Sequence, residues 1–161
     1  MTWYAVIDGA QDPRLVVLVR QCRHHACLIS GDLDRDLAPA LPWVAEVDPR
    51  EPLAHVWREH GGGRSWGITL ESPLDLLRVK LHLKKFLNAR LPDGTVALFR
   101  FYDPRVFRTY LEAATDEERA RWFAGASRYL VESEQAGQLH DFVMRDGRFY
   151  DGSVPLHSAV A

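Results

Sequence analysis

The sequence predicts an α/β fold in which a mixed β-sheet is flanked by helices and followed by a short strand-containing tail. Apolar strand-like runs alternate with helical ones through Ala114, which implies helical crossovers and parallel neighbouring strands. After Ala126 the pattern changes to short strands with Asp146-Gly147 as a hairpin turn, which predicts antiparallel pairing. With 161 residues, the chain is long enough for one domain without a disulfide or metal staple.

The predicted strands are short apolar runs bounded by Gly, Pro or Asp. In chain order they cover residues 3–8, 27–30, 43–47, 65–70, 95–102, 127–132, 139–145 and 148–150. The run from Thr95 to Tyr102 gives the strongest strand signal of the chain. Residues 32–36 are a polar stretch typical of a turn.

The predicted helices begin at recognisable caps, most of them followed by proline. They cover residues 12–23, 48–60, 73–88, 104–114 and 115–123. Gly61-Gly62-Gly63 ends the second helix, and Thr115 with Glu118 forms a capping box for the fifth. We therefore expect a core domain over residues 1–126, its strand-rich extension over 127–152, and a flexible tail over 153–161.

Composition excludes several function classes. The 20 basic and 22 acidic residues give a net charge of −2, which rules out a generic nucleic-acid binder. No apolar run reaches the length of a membrane span, and the N-terminus lacks the basic and apolar regions of a signal peptide. These features predict a cytoplasmic protein with Cys22 and Cys27 as thiols, and no cofactor.

Two motifs invite a binding interpretation that their context does not favour. Residues 22–27 read Cys-Arg-His-His-Ala-Cys, but zinc sites gather ligands from two separated pairs, so we expect no metal here. The triple glycine follows a predicted helix and precedes a strand, the reverse of a phosphate-binding loop, so it predicts a helix stop.

Asp8 and Asp103 are the only candidates for catalysis. Each ends a predicted strand, where open α/β sheets place active sites, and two carboxylates there could hold Mg²⁺ or exchange a proton. Asp103 also suits the cap of the helix that Pro104 begins, and no Ser, Cys or His stands in a nucleophile setting. The sequence therefore favours a protein that is not an enzyme, with a small metal-dependent hydrolase or transferase as the alternative.

Arg105 is an unusual residue for the first turn of a helix, because a cation there opposes the helix dipole. Such a residue is expected to have a tertiary partner. We predict that Arg105 pairs with a carboxylate from a neighbouring strand end, with Asp8 as the first candidate. The alternative is that Arg105 faces a binding partner.

The helix predicted at residues 73–88 carries two apolar stripes where a lone surface helix needs one. One stripe comprises Leu74, Leu77 and Leu81, and the opposite one comprises Leu76, Val79, Leu83, Phe86 and Leu87. Burial of both stripes is favoured, and reserving one for a partner is the alternative. Residues 73–90 hold five cations against one anion, which could steer an acidic partner. The candidate contact residues are Trp57, Arg78, Leu81 and Lys85.

Several motifs together resemble one family. Residues 3–10 (Trp-Tyr-Ala-Val-Ile-Asp-Gly-Ala), 38–41 (Ala-Pro-Ala-Leu), 65–68 (Ser-Trp-Gly-Ile), 82–84 (His-Leu-Lys) and 98–105 (Leu-Phe-Arg-Phe-Tyr-Asp-Pro-Arg) occur in this order. The chain resembles, from residue 3 to about 126, the adaptor or effector-chaperone family of bacterial type VI secretion, the Tap/TEC group. The last of these runs is the most specific.

The resemblance implies a non-enzymatic cytoplasmic chaperone that binds a toxic effector and loads it onto a VgrG-type spike protein. The residues that carry it look structural, and they are Asp8, Gly9, Trp66, Gly67, His82, Arg100, Asp103, Pro104 and Arg105. Two departures stand out. Ala126 follows Gly125 where the family often has proline, and the chain ends soon after Tyr150 where many relatives continue into a helical lobe. A third interpretation is a domain that folds as a dimer through the second stripe of the 73–88 helix.

Overall fold

The computed structural model describes residues 1–29 and 36–160. Nine strands are found there: β1 Thr2–Asp8, β2 His25–Cys27, β3 Pro42–Glu46, β4 Gly67–Ser72, β5 Asn88–Arg90, β6 Val96–Leu98, β7 Arg128–Glu132, β8 Gln138–Arg145 and β9 Arg148–Pro155. The five α-helices are α1 Arg14–Gln21, α2 Pro52–His60, α3 Leu76–Lys84, α4 Pro104–Ala113 and α5 Asp116–Phe123. The predicted turn at 32–36 falls outside the described residues except for Asp36, as does Ser30 of the second predicted strand.

Seven strands form one sheet in the order β2-β3-β1-β4-β7-β8-β9, and every neighbouring pair is antiparallel. The predicted α/β class is confirmed, but the predicted parallel pairing of neighbouring strands is wrong. The crossover that suggested them exists: α2 connects β3 to β4, which run in the same direction. However, β1 lies between these two strands and is antiparallel to both. This split β-α-β arrangement has the sequence pattern of a parallel pair without the pairing.

Helices cover both faces of this sheet. The reason is visible in β1, whose successive side chains point to opposite faces. Tyr4 and Val6 point into a core with α3, α4 and α5, whereas Ala5 and Ile7 point into a second core with α1 and α2. A central strand with apolar residues on both faces needs a helical layer on each side. The result is three layers with the sheet in the middle.

The strand predicted at residues 95–102 is largely wrong. Only Val96–Leu98 forms a strand, and it pairs with β5 in a separate two-stranded hairpin. The following residues cross the helical layer, where Phe101 and Tyr102 are buried without joining a sheet. The apolar pattern therefore reflects aromatic packing against α4 and α5, because burial produces the same pattern as a strand.

Helices α1, α4 and α5 begin near their predicted starts, but α2 begins at Pro52, four residues later than predicted. Helix α3 begins at Leu76 and is shorter than predicted. Asp75 caps α3 by accepting a hydrogen bond from the Arg78 amide, at 2.9 Å, whereas a cap just before Pro73 suited the predicted start. The helix ends at Lys84, and the next three amides bond to carbonyls three residues earlier, which closes the last turn before β5 begins. The capping box of α5 is confirmed, with Thr115 and Glu118 each satisfying the other's backbone amide.

The C-terminal strands continue the main sheet, since β7 pairs with β4. Strands β8 and β9 form a hairpin whose turn residues Asp146 and Gly147 both have positive φ, at 50° and 73°. This matches the predicted hairpin turn, which needs left-handed backbone at both central positions. Residues 153–155 belong to β9, and Leu156–Val160 is a short 3₁₀ helix.

No helix in the described part of the chain is both long and apolar enough to cross a bilayer.

Candidate functional site

Asp8 ends β1 as a completely buried carboxylate with a full set of partners. Its side chain is 1% exposed and accepts a 2.5 Å hydrogen bond from Arg100 Nη2. The Ala10 amide and the Gln11 side chain donate the remaining hydrogen bonds, at 3.1 and 3.3 Å. Asp8 therefore closes the turn after β1 and joins it to the segment before α4, 92 residues away.

Asp103 and Arg105 form a local pair at the start of α4. Asp103 caps the helix by accepting from the Arg105 amide at 2.9 Å, and the Arg105 guanidinium binds both carboxylate oxygens at 3.0 and 2.8 Å. The predicted pairing of Arg105 with Asp8 is wrong, because Asp8 is taken by Arg100. The Asp103 carboxylate removes the conflict with the helix dipole, since it lies against the cation.

The sequence contained a signal for this pair that the prediction missed. Asp-Pro-Arg occurs three times, at residues 12–14, 48–50 and 103–105. In each copy the arginine amide and Nε donate to one aspartate oxygen and Nη2 to the other, at 2.7–3.1 Å. Proline fixes the backbone so that the arginine folds back on the aspartate. The motif is therefore a recurrent local clasp.

These contacts bear on the alternative of a metal-dependent enzyme. Both carboxylates are engaged by guanidinium groups and backbone amides, so neither offers a vacant pair of oxygens in this arrangement. Within residues 1–29 and 36–160, the group of side chains spaced to hold a cation is Glu112, Glu134 and His140, which excludes both aspartates.

Two glycines of the family motifs lie where a side chain has no room. A Cβ on Gly9 would lie 2.1 Å from the Pro39 carbonyl oxygen, and one on Gly67 would lie 2.0 Å from that of Val6. Neither has positive φ, so close backbone approach explains them. Trp66 precedes the second glycine and is buried edge-on against Trp57, with ring centroids 6.2 Å apart.

His82 of α3 forms a buried junction with α5. Its Nε2 donates to the Trp122 carbonyl at 3.0 Å, and the Tyr129 hydroxyl donates to the same oxygen at 2.8 Å. Burial lowers the pKa of His82, and the hydrogen bond to Trp122 only partly offsets this, so the ring is neutral at pH 7. Gly125 packs flat on the ring, because a Cβ there would lie 2.4 Å from its Cγ.

The outer face of α3 is where exposed apolar and basic side chains coincide. Leu77 is 65% exposed and Leu81 is 53% exposed, whereas Val79 and Leu83 on the opposite stripe are fully buried. The predicted burial of both stripes is therefore wrong for Leu77 and Leu81, because the sheet reaches only one side of the helix. Leu74 of the same stripe is half-buried against the core.

Cations flank this exposed stripe on both sides. At 100° per residue, Arg78 and Lys85 lie on one side of the two leucines and Lys80 and Lys84 on the other. Arg78 and Lys85 are exposed and form no salt bridge with any residue the structure describes. We call Leu77, Leu81, Arg78, Lys80, Lys84 and Lys85 the α3 face.

Trp57, the fourth predicted contact residue, does not belong to this face. It points from α2 into the core on the other side of the sheet and is 9% exposed. Its position on the apolar face of the predicted helix indicated burial. Because so little of its side chain is exposed, a partner protein could make only a small contact with it. The structure thus brings together Arg78, Leu81 and Lys85 but separates Trp57 from them.

A charged cluster around His140 was not predicted. Nδ1 lies 2.9 Å from an Asp151 oxygen, and Nε2 lies 2.9 Å from Glu134 and 3.6 Å from Glu112. Burial opposes charge on the ring, but the hydrogen bonds to Asp151 and Glu134 outweigh it and raise the pKa of His140. The four residues come from α4, the β7–β8 turn, β8 and β9, so no local sequence pattern announces them.

Each of the two cysteine thiols lies close to a backbone carbonyl. Cys22 Sγ lies 3.5 Å from the Leu18 carbonyl oxygen and Cys27 Sγ lies 3.6 Å from that of Pro42. Burial raises the pKa of Cys22 to about 12, with Glu51 adding to the shift, so this group is a thiol at neutral pH. Both cysteines are free of disulfides.

A second apolar surface was also missed, on the β5–β6 hairpin. Val96 and Leu98 are 60% and 52% exposed, and both project from the same side of β6. A groove of about 790 Å³ runs beside the hairpin, and its lining includes Phe86, just after α3, and Tyr110 of α4. The sequence predicted one continuous strand over residues 95–102, so it gave no indication of a separate, exposed hairpin.

Comparison with known proteins places the chain in a family. No curated protein and no solved structure matches it. A family model described as "Domain of unknown function (DUF4123)" matches residues 3–121, nearly three quarters of the chain. That range contains nearly all of β1, β2 to β6, α1 to α4 and most of α5, and it includes the five motifs from residue 3 to residue 105. The chain belongs to the DUF4123 family.

Proposed function

We propose that the protein is a non-enzymatic adaptor that binds a type VI secretion effector and helps to load it onto a VgrG-type spike. The observation that carries the proposal is the family match over residues 3–121, because the motifs that resemble the Tap/TEC adaptors all lie within it. The partners are proteins, and the place of action is the cytoplasm.

The site geometry supports binding over catalysis. The polar motif residues make contacts within the chain: Asp8 with Arg100, Asp103 with Arg105, and His82 with Trp122. Such residues hold elements together and leave few groups for chemistry on a substrate. In contrast, the α3 face presents apolar and basic groups to solvent, which is the composition of a surface that meets a partner.

Co-expression with the neighbouring genes tests the proposal. These genes are expected to encode a spike protein, a toxin and its immunity protein. The tagged protein should co-purify with the toxin, and addition of the spike should give a complex of all three on size exclusion. Failure to capture either protein in low-salt buffer would contradict an adaptor role.

A further inference from the structure

We propose that the α3 face binds a short amphipathic helix of the effector whose apolar stripe is bordered by Asp and Glu. This inference rests on the proposed adaptor function and adds the chemistry of the partner's contact segment. Three features of the α3 face support it: the exposure of its leucines, their spacing and the placement of its charges.

The exposed leucines favour a helix as the occupant. Leu77 and Leu81 are four residues apart on α3 and form a ridge along its axis. A second helix can seat its own apolar side chains on either side of such a ridge. Because the contact has only two exposed leucines, its apolar part spans about two turns, so the partner segment is short.

The cations of the α3 face indicate which charged residues the partner helix should carry. Four cations border the leucines, while the acidic residue of the helix, Asp75, is occupied in capping its N-terminus. Residues 73–90 carry a net charge of +4, in a chain whose net charge is −2. Cations on both flanks of an apolar stripe match acidic residues at the flanking positions of a partner helix.

The same arrangement argues against a second copy of this chain. A symmetric dimer through α3 would bring the same four cations from each chain to one interface. Repulsion between them would oppose the small apolar contact. The effector is assigned as the source of the helix because the proposed adaptor must hold the effector before loading it on the spike.

Effector affinity in matched variants tests the inference, with the toxin from the neighbouring gene as the probe. Leu81→Asp should weaken the complex about tenfold or more, because it places a charge at the apolar centre of the contact. Val17→Asp is the matched control: Val17 is 60% exposed on α1, on the other face of the sheet, and its substitution should change affinity less than about twofold. Equal loss in both variants, or no loss in Leu81→Asp, would overturn the inference.

Charge reversal tests the acidic character of the partner. The double variant Arg78→Glu/Lys85→Glu should bind about tenfold more weakly at low salt and lose most of the salt dependence of the wild type. Arg145→Glu/Arg148→Glu, at the exposed end of the β8–β9 hairpin, changes the net charge equally and should retain both affinity and salt dependence. Equal effects of the two double variants would show that only total charge matters and would refute the assigned surface.

A photo-crosslinker at position 81 identifies the occupant directly. We expect mass spectrometry to find a net-negative segment of the effector with apolar residues at three- and four-residue spacing. A basic or neutral segment, or a crosslink only to the spike, would overturn the inference while leaving the adaptor function intact. If the wild-type protein captures neither toxin nor spike, the adaptor function itself fails and the inference fails with it.

Discussion

Asp8 shows at the scale of one residue how a candidate catalytic group can be a structural one. Its carboxylate is buried at the end of β1 and tied to Arg100, Ala10 and Gln11. A buried carboxylate whose oxygens are all engaged stabilises the fold through those contacts, and removing the charge leaves its partners unsatisfied.

Asp8→Asn should therefore lower the free energy of unfolding by about 1–3 kcal/mol, measured by urea denaturation. The loss stays below that of a fully buried ion pair because the Arg100 side chain is 45% exposed and can be hydrated. Asp116→Asn is the control, since Asp116 is 99% exposed and its nearest arginine nitrogen lies 3.9 Å away. Unchanged stability in Asp8→Asn would contradict the structural role and revive the catalytic alternative.

His140 gives the fold a predicted dependence on pH. Its ring lies against Glu112 from α4, Glu134 from the β7–β8 turn and Asp151 from β9. Glu134 also lies 3.5 Å from the Arg108 guanidinium of α4, the cation of this cluster. The pKa of His140 is raised in the folded protein. Its contribution to stability is therefore fully present below the unfolded-state pKa and is lost as pH rises through the folded-state pKa.

We expect the difference in unfolding free energy between wild type and His140→Gln to be largest below the ordinary histidine pKa of about 6.5 and to shrink as pH rises through the raised folded-state pKa. Denaturation series at several pH values measure this difference, and the other histidines cancel in the subtraction. A difference that grows with pH would contradict a protonated His140 in the folded state.

At the scale of elements, the junction of α3 and α5 depends on Gly125. The glycine lies on the His82 ring, and its carbonyl accepts a 2.6 Å hydrogen bond from Ser72, just before α3. The ring cannot move away easily, because it is buried and bonded to Trp122. A close backbone approach thus sets the distance between the two helices.

Gly125→Ala should destabilise the protein by about 1–3 kcal/mol, through overpacking against this ring. Gly152→Ala provides the matched control: a Cβ there meets nothing closer than 3.6 Å, so stability should change by about 0.5 kcal/mol or less. Thermal unfolding of both variants measures the contrast. Similar melting temperatures for the two would show that the α3–α5 junction can adjust.

At the scale of the whole molecule, the free protein is expected to be a monomer. Both cores lie between the sheet and its helices, and the exposed leucines of the α3 face are bordered by like charges that repel a second copy. Sedimentation at two concentrations should give the 18.4 kDa monomer in both. A concentration-dependent dimer that Leu81→Asp abolishes would favour the dimer interpretation, with the exposed stripe of Leu77 and Leu81 as the contact.

Local chemistry in the sequence determined much of this fold. The caps at Asp103 and Thr115, the hairpin turn at Asp146-Gly147 and most strands and helices follow from residue type and spacing, because these signals act over a few residues. The α/β class follows for the same reason, since alternation of elements is visible along the chain.

Only the tertiary structure decided which elements meet. The insertion of β1 between β3 and β4, the partner of Asp8 and the His140 cluster all join residues far apart in sequence, and periodicity carries no information about such pairs. The same limit applied to α3, whose two stripes were evident in the sequence. The sheet covers one stripe and leaves Leu77 and Leu81 in solvent, because an amphipathic pattern shows which faces are apolar but not how many neighbours the fold supplies.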